Sequence, residues 1–269
     1  MKHGVSAFVT DTSLSAMDLA REVEERGFES LWLPEHSHLP AGPDADPDGF
    51  YARLYDPFVA LAAAAAATTT LGLATGVTLV AQRDPLYTAK QVASLDHLSG
   101  GRVLLGVGAG WNRAEMRHHG VDPATRNRRL AEHVEAMKAL WENSPARYAG
   151  EFVSFGDSFA YPMPVRRPPV LVGGMGPGVE RRVLDFGDGW LPIGVAARDA
   201  DGLGRRIAAL RRRAAELGRD RVPVTLVNAE PGPAAEDAYR RAGVDRLVHG
   251  VTDTDPDVVR KRLDVLAER

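Results

Sequence analysis

The chain of 269 residues is 44% hydrophobic and 26% charged, the composition of an ordinary globular protein, which excludes a disordered or collagen-like chain. Its 33 Lys and Arg against 36 Asp and Glu leave a net charge of −3. That balance gives no electrostatic footprint for a nucleic-acid backbone or an anionic membrane, and the expected partner is a small molecule.

Residues 4–10 are a short apolar run read as a first strand. Thr12 and Ser13 are candidate N-caps of a helix with Leu14, Met17, Ala20 and Val23 on one face. Gly27 closes that helix, and SLWLP at 30–34 reads as the second strand. The polar, Pro- and Gly-rich stretch 35–57 is too long for a routine connection and is a lid or binding-loop candidate. A helix over 58–68 contains six consecutive alanines, and LGLATGVTLV at 71–80 is a third strand, apolar on both faces as a buried parallel strand must be. Asp84 before Pro85 makes an N-cap and first-turn pair for a helix ending at Gly100 and Gly101. RVLLGVGAG at 102–110 is the fourth strand, and the fourth helix over 126–141 places Leu130, Val134, Met137 and Leu140 on one face. From 143 to 169 the helical rhythm fails, giving short β-type segments and Pro-rich loop. Strands then fall at 170–174, 189–194, 222–228 and 246–249, with helices opened by Pro177 and at 201–217, 234–242 and 257–268.

Eight strand–helix pairs with strands apolar throughout predict an α/β fold: a (β/α)8 TIM barrel, one domain over residues 1–269, with an insertion before the fifth strand. The alternative, an open doubly wound sheet, would have to accommodate more units than its usual five or six. The N-terminus lacks a basic region followed by an apolar stretch, and no window approaches about 18 apolar residues, so a cytoplasmic protein is expected. Apolar helix faces favour a homodimer over a monomer. The absence of cysteine removes disulfides, thiolate metal sites and cysteine nucleophiles together, so redox chemistry has to come from a cofactor.

Residues just after barrel strands face a common cleft. The shortlist is Glu35, His36, Ser37 and His38 after strand two, Thr75, Gly76 and Val77 at strand three, and Gly108, Ala109, Gly110, Trp111 and Asn112 after strand four. Strand five adds Gly173, Gly174, Met175, Gly176, Pro177 and Gly178; later strands add Ile193, Gly194, Asn228 and His249. In GGMGPG, glycines admit close backbone approach and Pro177 at a first helical position would leave amides at the positive end of the helix dipole, a phosphate cradle. The alternative is a tight turn that merely needs glycine. GVGAG at 106–110 lies inside a strand and lacks the third glycine of a dinucleotide fingerprint, so its glycines are read as clearing room for a planar ring. His36 is the acid/base or hydrogen-bond candidate, because an imidazole titrates near neutrality; an exposed loop histidine is the bland alternative. His36 and His38 also spell H-x-H, which could ligate a metal. Only His249 offers a further imidazole at the other shortlisted strand ends, so no metal is expected.

DPLYTAKQVASLDHLSGGRVLLGVGAGWN at 84–112, with LWLPEH, LATGVTL, PPVLVGG and GDGWLP, resembles luciferase-like monooxygenases, including their F420-dependent oxidoreductases. The resemblance spans nearly the whole chain. It implies an oxidoreductase using coenzyme F420, or alternatively FMN, on a small organic substrate. It also implies a non-prolyl cis peptide at Gly76–Val77 supporting the ring and a phosphate-binding turn at Gly173 to Gly178. Gly110, Trp111 and Asn112 match a loop contacting the ring. Glu35 and His36 match an acidic–His pair in which Glu35 orients His36, the residue that hydrogen-bonds or protonates where charge develops. The chain is short for the family, so a non-catalytic flavin-binding protein is a further alternative.

Overall fold

The computed structural model describes residues 1–41 and 49–268. Its first half contains β1 (Lys2–Ala7), α1 (Ala16–Glu25), β2 (Ser30–Leu33), α2 (Pro57–Ala67), β3 (Gly72–Thr78), α3 (Pro85–Ser99), β4 (Val103–Val107), α4 (Arg113–His118) and α5 (Arg126–Glu142). The second contains β5 (Ala146–Ala149), β6 (Ser154–Ser158), β7 (Val170–Gly173), α6 (Val179–Phe186), β8 (Gly189–Leu191), α7 (Ala200–Glu216), β9 (Thr225–Val227), α8 (Pro233–Ala242), β10 (Arg246–Val251) and α9 (Pro256–Ala267).

Eight parallel strands pair in the order β8-β7-β4-β3-β2-β1-β10-β9. Parallel bridges from Trp190 to Val224 and from Ile193 to Val227 join the two ends, so the sheet curls into the expected barrel. The antiparallel hairpin β5–β6 is the insertion before β7. Strands are apolar on both faces because they separate two clusters. Trp32, Ala74, Leu171, Leu191, Val227 and Val248 fill the interior, and a larger cluster joins strands to helices. Trp32 is the largest interior filler, its indole N–H donating to Ser30 Oγ at 2.8 Å. It fits because Gly4 has no side chain: a Cβ there would stand 2.9 Å from Trp32 Nε1.

Side-chain caps open α1, α2, α3, α4 and α9. Asp84 accepts from the amides of Leu86 and Tyr87, as its place before Pro85 predicts. The first helix differs from expectation: Ser15 is its N-cap, while Thr12 and Ser13 belong to the preceding turn, so Met17 is exposed and Leu19 buried. α4 was not predicted; six residues are too few to carry a helical period. Of the lid candidate at 35–57, residues 42–48 lie outside the described residues. A short 3-10 turn, Phe50–Arg53, follows them, and Arg53 donates to both Asp11 carboxylate oxygens. Among the described residues, no helix is long and apolar enough to cross a membrane.

Candidate active site at the barrel mouth

At the C-terminal ends of the strands lies a cavity of about 550 Å³, within the range of small-molecule sites. Val77, Leu79, Leu191, Ile193 and Val227 supply its apolar lining, Gly76, Gly108, Gly110, Gly173, Gly174 and Gly176 its open backbone, and His36, Tyr51, Trp111, Arg126 and Arg182 its polar and aromatic groups.

The Gly76–Val77 peptide is cis, and the pairing of β3 with β4 changes register between Thr75 and Thr78. This bulge presents Val77 between two glycines. A Cβ on Gly108 would lie 2.5 Å from Val77 Cγ2, and one on Gly173 2.8 Å from Val77 Cγ1. A Cβ on Gly106 would lie 2.1 Å from the Thr75 carbonyl oxygen. These glycines therefore make room for the β3 bulge, and Gly108 and Gly173 line the cavity as well.

In the turn after β7, α6 begins at Val179 with Gly178 as its cap in the left-handed region at φ 75°. Pro177 thus precedes the cap instead of opening the helix, which corrects the expected geometry. Gly174 and Gly176 face open space and line the cavity. Met175 packs against the core and its carbonyl accepts from Arg206, while Gly178 only caps, so neither lines the cavity. Beside the turn stand Arg126, donating to the Pro123 carbonyl at 2.6 Å, and Arg182, donating to the Pro177 carbonyl at 3.4 Å. Burial draws the Arg182 guanidinium below its ordinary value; Glu180 opposes this and the nearby Arg126 adds to it. Both remain cationic. Among the described residues neither has an ion-pair partner, so an anion placed between them would relieve their repulsion.

His36 also lines this cavity and is buried. Its Nδ1 is 2.8 Å from Glu115 Oε2, and its ring meets Tyr51 and Trp111 edge-on at centroid distances of 5.1 and 5.5 Å. Glu115 is wholly buried and accepts further bonds from the Ser37 amide at 3.0 Å and the Ser37 hydroxyl at 3.3 Å. Burial by itself raises the Glu115 carboxyl, but the His36 and Ser37 hydrogen bonds outweigh it and hold the carboxyl below the usual range.

Glu35 does not orient His36, contrary to expectation. Neighbouring side chains diverge, and Glu35 instead accepts from the Leu79 amide at 2.7 Å and pairs with Arg83. Burial pushes the Glu35 carboxyl upward against the pull of Arg83. Arg83 in turn reaches Asp56, the N-cap of α2, so this network ties the strand-two loop to the scaffold. The H-x-H pair also separates: His38 turns to the outer surface, its Nε2 2.8 Å from His118 Nδ1.

Other shortlisted residues fall elsewhere. Thr75 donates its hydroxyl to the Gly106 carbonyl inside the barrel wall, and Asn112 caps α4 through the amides of Ala114 and Glu115. His249 stacks on His3 at 5.5 Å, facing away from the cavity, because it sits within β10 rather than past its end. Asn228 and Gly194 occupy positive-φ turns outside the cavity lining.

Glu115, Arg126, Arg182 and Tyr51 were not on the shortlist. Asn112 and Glu115 have the N-cap and N3 spacing of a capping box, which would have announced α4. The same pattern would have sent the carboxylate to the wrong partner, since it bonds His36 across 79 positions.

The family model for luciferase-like monooxygenases matches residues 6–266. An uncharacterized protein of Mycobacterium tuberculosis is 37% identical over 281 residues, covering 100% of this chain and 98% of that protein. Among solved structures, a monooxygenase from Streptomyces bottropensis superposes with a TM-score of 0.81 at 21% identity, covering 100% of this chain and 98% of that one. An F420-dependent secondary alcohol dehydrogenase in complex with an F420–acetone adduct gives a TM-score of 0.79 at 20% identity, covering 100% and 99%. Such identities establish a common fold.

Proposed function

The chain belongs to the luciferase-like monooxygenase family, and from that premise we propose that it is an F420-dependent oxidoreductase acting on a small organic substrate. The observation that carries this reading is the buried His36–Glu115 pair in the cavity lining. When bound, a deazaflavin supplies a hydride donor or acceptor at C5. Moving a hydride to or from an oxygen-bearing carbon also requires a proton to be given or taken at that oxygen.

His36 is placed for that proton. Ionised Glu115 favours the tautomer with a proton on Nδ1, 2.8 Å away, which leaves the Nε2 lone pair for a substrate hydroxyl. Tyr51 and Trp111 shield the ring from water. The residues present also fit a planar cofactor with a phosphate. Val77 on its bulge would back such a ring, the bare Gly174 and Gly176 would admit the phosphate backbone-close, and Arg126 and Arg182 would supply its counter-charge.

Titration of the protein with F420, and separately with FMN, followed by cofactor fluorescence, tests the proposal. Tight F420 binding that Gly176→Asp weakens at least tenfold is expected. Preference for FMN moves the assignment to a flavin monooxygenase, whose FMN-bound form consumes oxygen when reduced, and binding of neither cofactor overturns the reading.

A further inference from the structure

Outside the cavity, His38, Glu115 and His119 each offer a ligand atom, and these atoms all lie within 4.8 Å of one another. Sequence would not group them: His38 follows β2, whereas Glu115 and His119 lie four positions apart at α4 and its end, hence on one face. We propose that they form a binding site for a divalent first-row cation of the zinc class.

The donor set is two imidazoles and one carboxylate, which suits zinc more than magnesium or calcium. Ser37 Oγ marks the centre. It stands 2.9 Å from His38 Nδ1, 2.6 Å from His119 Nε2 and 3.3 Å from Glu115 Oε1. In the empty site Ser37 donates to the Glu115 carboxylate, and the two imidazole nitrogens can meet Ser37 Oγ as N–H donors; in their other tautomers the same nitrogens present lone pairs to that point. A cation in that place satisfies all three, with the Ser37 hydroxyl turning aside or serving as a further ligand, after the ligand atoms close by on the order of 1 Å.

Charge points the same way. Glu115 is wholly buried and among the described residues its only ion-pair partner is His36, held on Oε2, so Oε1 is left as an anionic oxygen that a cation can use. Room for water ligands lies alongside. Ser37, Glu115 and His119 border a second cavity of about 370 Å³ that also contains Gln82. Neither side-chain polar atom of Gln82 has a partner among the described residues. Oε1 of Glu115 faces this site while Oε2 holds His36, so one carboxylate bridges the cation site and the cavity.

The inference stands apart from the cofactor assignment, because its test uses no cofactor. The chelator-treated protein is titrated with zinc sulfate in competition with a chromogenic indicator. One equivalent at micromolar affinity or tighter is expected, weakened at least tenfold by His38→Ala and by His119→Ala and unchanged by His97→Ala, an exposed histidine on α3. Absence of stoichiometric zinc, or an equivalent that survives both ligand substitutions, overturns the site. If either variant fails to fold, cobalt(II) on the unaltered chain decides. Intense visible absorption of a four- or five-coordinate nitrogen–oxygen site supports the proposal, and only the weak bands of hydrated cobalt reject it.

Discussion

His36 and Glu115 show how two residues acquire chemistry neither has alone. A buried carboxylate is costly in isolation, but the His36 ring and the Ser37 amide and hydroxyl stabilise its anion and draw its pKa below the ordinary range. That anion fixes which imidazole nitrogen carries the proton. Glu115→Gln keeps the shape and removes the charge, so turnover by the cofactor-loaded enzyme is expected to fall about 10²- to 10⁴-fold while cofactor affinity stays within a few fold. Single-turnover rates and fluorescence titration of the same variant check this. Unchanged turnover would make Glu115 a structural residue. The position of His36 in the cavity lining was legible from its place after a strand. Glu115 was not, since a six-residue helix brings it in from a segment without recognisable period.

At the scale of elements, the bulge in β3 governs the cavity wall. β4 passes so close to it that Gly106 has no room for a methyl group, with the Thr75 carbonyl oxygen 2.1 Å from where that carbon would lie. Backbone cannot retreat as a flexible side chain can, so Gly106→Ala is expected to destabilise the fold by about 3 kcal/mol or more. Urea denaturation monitored by circular dichroism measures the loss, and a change below about 1 kcal/mol would show that the bulge yields. Most elements were readable because their signals are local: continuous apolar runs for the strands, Asp84 before Pro85 at the start of α3, and glycine at its end. The turn after β7 was misread by two residues because either Pro177 or Gly178 could open a helix, and only the packing of Val179 and Val183 into the core chooses Gly178 as the cap.

For the whole molecule, ionisation sets the acid limit of stability. Burial draws His133 below its ordinary 6.5, so the unfolded chain takes up that proton first and stability begins to fall as pH drops through about 6.5. Glu22, Glu24, Glu29, Glu115 and Glu180 are all held below the ordinary 4.5. Their contribution is complete above that pH and is lost below it, whereas Glu35, raised by burial, acts in the opposite direction. Thermal melting against pH is expected to show a shallow decline from about 6.5 and a steep one below about 4.5. His133→Gln should remove the first, and an unaltered profile in that variant would refute the assignment. The barrel itself was determined by sequence alone, since eight apolar strands alternating with helices have few ways to bury both strand faces. Which side chains meet at its mouth was decided only by tertiary structure. Glu115 reaches His36, and Arg126 reaches the neighbourhood of Arg182, across dozens of residues. Such pairings depend on where loops return over the barrel, and hydrophobic periodicity carries no information about loop paths.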